Sequence, residues 1–163
     1  MSVRIRLSHI AAVILVSAAA VPYGSALAGD AAALPESRVV NVGKPFDALV
    51  LRLEQAIKDS NMALVAQASA SRGAAARGVN IPGNIVLMVF RNDYAVRMLE
   101  ASVEAGIEAP LRIYVTEQAD GSTRVSYPLP SAVFRPYGDP RIDAMAKELD
   151  PIFERIVRHA TEE

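Results

Sequence analysis

The chain has 163 residues, no cysteine, 52% hydrophobic residues and a formal charge of −1, from 17 Lys and Arg against 18 Asp and Glu. Without cysteine there is no disulfide, lipobox anchor, thiolate zinc site, covalent haem or thiol nucleophile. The only histidines are His9 and His159, too few for a multi-histidine metal centre, and the charge balance gives no general attraction for nucleic acid.

Residues 1–28 read as a secretory signal peptide. Arg4 and Arg6 form a basic start, Ile10 to Val21 a short apolar stretch, and Ala26-Leu27-Ala28 the small-x-small pattern of a cleavage site. The apolar run is short of the about 20 residues a membrane span needs, so contact with the membrane is expected only during export. Cleavage after Ala28 takes the formal charge to −3 and leaves a mature chain read as three parts: a flexible leader at 29–37, one domain at 38–160 and a tail at 161–163. The expected location is periplasmic or secreted.

Arg38 to Val42 predicts a first strand ended by Gly43. Pro45 suits the first turn of a helix whose Phe46, Leu49, Leu53 and Ile57 share one face, with Glu54 and Lys58 as an outer i,i+4 pair. Asn61 stops it, and Met62 to Ala68 reads as a second strand. Ser69 to Gly83 is irregular, with one helical turn expected at Ala74 to Ala76. Ile85 to Phe90 is apolar at every position, which predicts a strand covered on both faces. Asn92 is the expected cap of a helix that turns Ala95, Met98, Leu99 and Ser102 inward and stops at a left-handed Gly106.

Leu111 to Gln118 and Ser122 to Leu129 flank Ala119-Asp120-Gly121. A two-residue Asp-Gly turn would mix polar and apolar residues on one face. A three-residue loop ending in a left-handed Gly121 instead pairs Ile113 with Tyr127 and Val115 with Val125, keeping one face apolar. The other face then carries Arg112, Tyr114, Thr116, Arg124 and Ser126. A loop through Phe134 and Tyr137 leads to Asp139, a helix cap, with Pro140 in first position. Ile142, Met145, Leu149, Ile152 and Ile156 continue a helical period, which Pro151 is expected to kink or restart at Asp150.

Ala109-Pro110-Leu111-Arg112-Ile113-Tyr114-Val115, Asp120-Gly121 with Val125-Ser126-Tyr127 and Pro130, and Leu149 to Ile156 resemble the domain of unknown function 302 family. Ile85 to Phe90 followed by Asn92 is similar too, although Arg91 and Asp93 stand where Gly and Pro often flank that Asn. The resemblance covers roughly Arg38 to Val157. It implies an α+β fold: an antiparallel sheet with helices packed on one face, of β-α-β(4)-α type with an extra helix between strands, similar to the TATA-binding protein in topology only. It also implies dimers, and transfers no catalytic residue.

Arg112, Tyr114 and Arg124 on the polar hairpin face are the first candidates for binding a small anionic or amphipathic ligand, with Arg91, Phe134 and Tyr137 next. The same arginines also fit a solvated face with ion pairs, and the aromatics fit a plug at the end of the core. Met62, Met88, Met98 and Met145 sit at positions the core needs, so no metal or cofactor is expected. Glu100/Glu104 and Asp139/Asp143 fit solvated helix faces better than a catalytic carboxylate pair. The leading expectation is a non-enzymatic ligand-binding domain. The alternative is a homodimeric interaction module without a small-molecule ligand, and an acid–base enzyme ranks third.

Overall fold

In this computed structural model, which describes residues 35–162, the chain runs β1 (Ser37–Val42), α1 (Phe46–Asp59), β2 (Ala63–Ala68), α2 (Ala70–Ala75), β3 (Asn84–Phe90) and α3 (Asn92–Ala101). It continues with β4 (Leu111–Glu117), β5 (Thr123–Pro128), α4 (Pro130–Phe134) and α5 (Pro140–Thr161). Short 3-10 turns occupy Glu104–Glu108 and Arg135–Tyr137. The expected signal peptide and residues 29–34 of the expected leader lie outside the described residues. The leader's last residues are already tied to the sheet: Ser37 opens β1, and the Leu129 N–H donates to the Glu36 carbonyl at 2.8 Å.

The strands form one antiparallel sheet in the order β1-β5-β4-β3-β2, an α+β fold as the sequence predicted. The hairpin register is the one that keeps an apolar face. Val115 lies opposite Val125, and Gly121 takes φ +80° at the end of the three-residue loop. Strand alternation then places Ile85, Leu87, Val89, Ile113, Val115, Val125 and Tyr127 on one side, where they share a single core with residues of α1, α3, α4 and α5.

The apolar stripe of α5 (Ile142, Met145, Ala146, Leu149, Ile152, Phe153, Ile156, Val157 and Ala160) recurs at helical spacing and is wholly buried. Its Phe153 ring lies 5.9 Å from that of Tyr127 on β5. Arg52 of α1 ties down the far end of the same helix. Its Nε donates to the Ala160 carbonyl at 2.9 Å and its Nη2 to the Glu162 carbonyl at 2.9 Å. A cation there satisfies open carbonyls and opposes the negative end of the helix dipole.

Several local expectations are corrected. The strand β3 is covered on one side only: Val86, Met88 and Phe90 alternate outward and stay half-exposed, because the helices that form the core all pack on the other face. Met88 is therefore outside the core. Arg91, not Asn92, occupies the cap position of α3, and no side chain caps that end. The helix turns Tyr94 and Met98 inward, which leaves Leu99 44% exposed. It ends at Ala101, and Gly106 falls within the following 3-10 turn instead of serving as a left-handed stop. The irregular segment holds six helical residues, capped by Ser69, whose hydroxyl accepts from the Arg72 N–H.

Glu54 accepts from Gln67 Nε2 on β2 at 2.6 Å, across the chain and not along the helix toward Lys58. The loop expected through Phe134 and Tyr137 is α4 followed by the 3-10 turn at Arg135–Tyr137, closed by Gly138 at φ +64°. Finally, α5 runs unbroken through Pro151. The proline is exposed, and burial of the continuous apolar stripe outweighs the one missing backbone bond. Asp150 caps nothing in α5; its carboxylate accepts from the Ser131 N–H at the start of α4, at 2.9 Å.

Replacing Arg52 removes three charge-assisted bonds to the end of α5, to the His159, Ala160 and Glu162 carbonyls, while sparing the core. Arg52→Met is expected to cost about 1–2 kcal/mol in denaturant unfolding. It should also speed hydrogen exchange at the Val157 to Thr161 amides, with little change at the amides of β4.

Candidate functional site

The six candidate residues fall into separate places. On the uncovered sheet face, Tyr114 lies between Val86 and Ser126, and Arg112 lies opposite Met88. Arg124 pairs with Thr116, four residues along β4 from Arg112, so the two guanidinium-bearing positions are about 14 Å apart along the strand direction at about 3.4 Å per residue. The structure thus brings Arg112 and Tyr114 together and leaves Arg124 elsewhere, where its Nε donates to Asn41 Oδ1 at 3.0 Å.

Arg112 takes part in none of the ion pairs among the described residues. It lines two surface depressions. One of about 350 Å³ is floored by Val86, Tyr114 and Pro128. The other, about 520 Å³, is edged by Glu36, Glu108 and Arg135.

Arg91 and Phe134 meet on the opposite, helix-covered side. There a small cavity of about 30 Å³ lies between the ends of β3 and β4 and α3, α4 and α5. Its wall is almost entirely apolar and includes Met62, Tyr94, Met98, Phe134, Met145 and Leu149. The Arg91 guanidinium lies 4.2 Å from the centre of the Tyr94 ring, and its Nε donates to Asp93 Oδ1 at 2.8 Å. That hydrogen bond raises the pKa of Arg91 and lowers that of Asp93.

Arg97 flanks the same ring at 5.5 Å. It grips Glu148 of α5 through both Nη groups, each at 2.8 Å, and holds that carboxyl below its usual pKa. Tyr137 stands behind Phe134, with ring centres 6.4 Å apart, and its hydroxyl donates to Glu108 Oε1 at 3.1 Å. Burial, then this bond, raises the Tyr137 pKa.

Sequence reasoning missed Tyr94. The readable signal was the spacing Arg91, Tyr94, Arg97, which puts two guanidinium groups within reach of one ring on a helix. It also missed that Met62, Met98 and Met145, far apart in the chain, line one cavity.

No carboxyl among those displaced from their ordinary pKa is displaced upward. Asp93, Glu104, Asp120, Asp139 and Glu148 all move down because donors hydrogen-bond to their charged form. Such groups stay ionised near neutrality and make poor general acids. The pairs Glu100/Glu104 and Asp139/Asp143 share no pocket: Glu104 accepts from Ser102, and Asp139 is engaged by Arg141. Among the described residues no three His, Cys, Asp or Glu side chains are placed to hold a metal ion, and no helix is long and apolar enough to cross a membrane.

A single antiparallel sheet, backed by helices on one face and, among the described residues, by none on the other, places the chain in a one-sided α+β class. Residues 38–160 match the family described as domain of unknown function DUF302, and the chain belongs to that family. The fold is also that of an uncharacterized conserved DUF302 protein from Bacillus stearothermophilus. The crystal structure of that protein superposes with a TM-score of 0.68 at 19% identity, over 76% of this chain and 97% of the other. Among curated proteins no match is found.

The corner that carries Phe134 and Tyr137 turns into α5 at Asp139, whose Oδ1 accepts from the Arg141 N–H at 2.8 Å and whose Oδ2 faces Arg141 Nη2 at 2.7 Å. The Arg141 side chain, then its backbone N–H, lowers the Asp139 pKa from 3.8 to about 2. A pKa depressed in the folded state stabilises the fold above the unfolded value, and that contribution is lost as pH falls through the folded one. Thermal melts should therefore show a loss between pH 3.8 and about 2 that Asp139→Asn lacks. At neutral pH the variant should melt lower than the parent.

Proposed function

We propose that this chain is a non-enzymatic interaction domain that works as a homodimer, two copies meeting through their bare sheet faces. One observation carries this reading: Val39 is 56% and Tyr114 42% exposed on a sheet face that also presents Val86, Met88 and Phe90. An antiparallel sheet that keeps one face in water ordinarily makes that face polar. Exposed apolar side chains on it are instead a mark of a surface that is covered in use. Arg112 with Glu36 and Glu108 at its edge supplies both signs of charge, as a self-complementary two-fold contact requires.

A second reading rests on Arg112 itself. Its guanidinium has no ion-pair partner among the described residues and stands beside Tyr114 and Met88. That is the arrangement for a small amphipathic anion lying on the sheet.

Sedimentation equilibrium across a concentration series separates the two. The dimer reading expects a mass that doubles with concentration, and a dimer dissociation constant raised at least about tenfold by Tyr114→Glu. A parent that stays monomeric throughout overturns it. Saturable binding of decanoate to such a monomer, lost in Arg112→Ala, would establish the small-anion reading.

Export is part of the same proposal, supported by the basic start, apolar stretch and Ala26-Leu27-Ala28 pattern. Protein recovered from the periplasm of an expressing bacterium should have a mass beginning at Gly29. A mass that still includes Met1 overturns it.

A further inference from the structure

The cavity on the helix-covered side has the two parts of a small-molecule site: a dry apolar interior and one charged group at its edge. At about 30 Å³ it exceeds the about 10–15 Å³ that one water needs, but its wall is nearly all apolar and offers water few partners. Three of its walls are methionines (Met62, Met98 and Met145), all buried. Unbranched thioether side chains have three rotatable bonds and re-pack at low cost, so such a cavity can swell around an entering chain. Apolar cavities of this kind take up hydrocarbon groups in preference to water.

Arg91 determines what else the ligand must carry. Stacking on Tyr94 at 4.2 Å and the bond from Nε to Asp93 hold its plane fixed. Asp93 takes only Nε, so neither Nη group is used by that ion pair. A fixed guanidinium edge suits a carboxylate, which accepts two parallel hydrogen bonds.

We infer that this cavity binds a short-chain aliphatic carboxylate, its carboxylate on Arg91 and its roughly two-to-four-carbon tail among Met62, Met98 and Met145. The site is distinct from the bare sheet face and does not depend on the dimer reading.

Methionine-methyl NMR of the full chain tests it with butyrate as probe, because Met88 on the opposite sheet face reports separately on any anion held beside Arg112. Butyrate should shift the Met62, Met98 and Met145 methyl signals saturably and together. Butan-1-amine, with the same tail and the opposite charge, should shift none of them. Arg91→Gln should weaken butyrate binding about tenfold, with Arg91→Lys in between. Ala95→Leu, which fills the cavity from α3, should abolish the shifts. Circular dichroism melts identify any variant that has lost its fold, and the two Arg91 substitutions and Ala95→Leu supply independent arms. No saturable shift with butyrate overturns the inference. So do equal shifts with butan-1-amine, or butyrate binding that survives both Arg91→Gln and Ala95→Leu.

Discussion

The contact between α5 and the inner face of the sheet is what the rest of this domain hangs on. Nine buried residues of one helix share a single core with the inward residues of β3, β4 and β5, and Phe153 lies against Tyr127. Burial of that much apolar surface is the dominant favourable term for a chain without disulfides. It also explains why α5 tolerates Pro151: one lost backbone bond on an exposed side is small beside a continuous buried stripe. The helix is then secured at both ends, by Asp139 at its start and by Arg52 of α1 at its finish.

Spending all of the core-forming helices on one face leaves the other bare, and the strand residues there are not those of an ordinary solvated surface. Met88 and Val86 on β3 face Arg112 and Tyr114 on β4. The same one-sided packing creates the cavity on the covered side. Where α3 crosses the ends of β3 and β4, its short inward face of Tyr94 and Met98 does not fill the space beside Phe134 and Met145. Arginine finishes both places differently: Arg112 stands without an ion-pair partner among the described residues, whereas Arg91 is held by a carboxylate and a ring.

The sequence by itself determined the elements and the hairpin register. Alternation along β4 and β5 admits only one pairing with an apolar face, and Asp139-Pro140 marks the start of α5 by the chemistry of its first turn. Those signals are local, carried by residues within one or two turns or across one hairpin. What the tertiary structure alone decided is which apolar surfaces are covered and which side chains meet. An apolar run such as Ile85 to Phe90 reads the same whether one or both of its faces are buried, because coverage depends on helices distant in the chain. Likewise Met62, Met98 and Met145 belong to three different segments, and only the packing of α3 and α5 on the sheet makes them one wall beside Arg91.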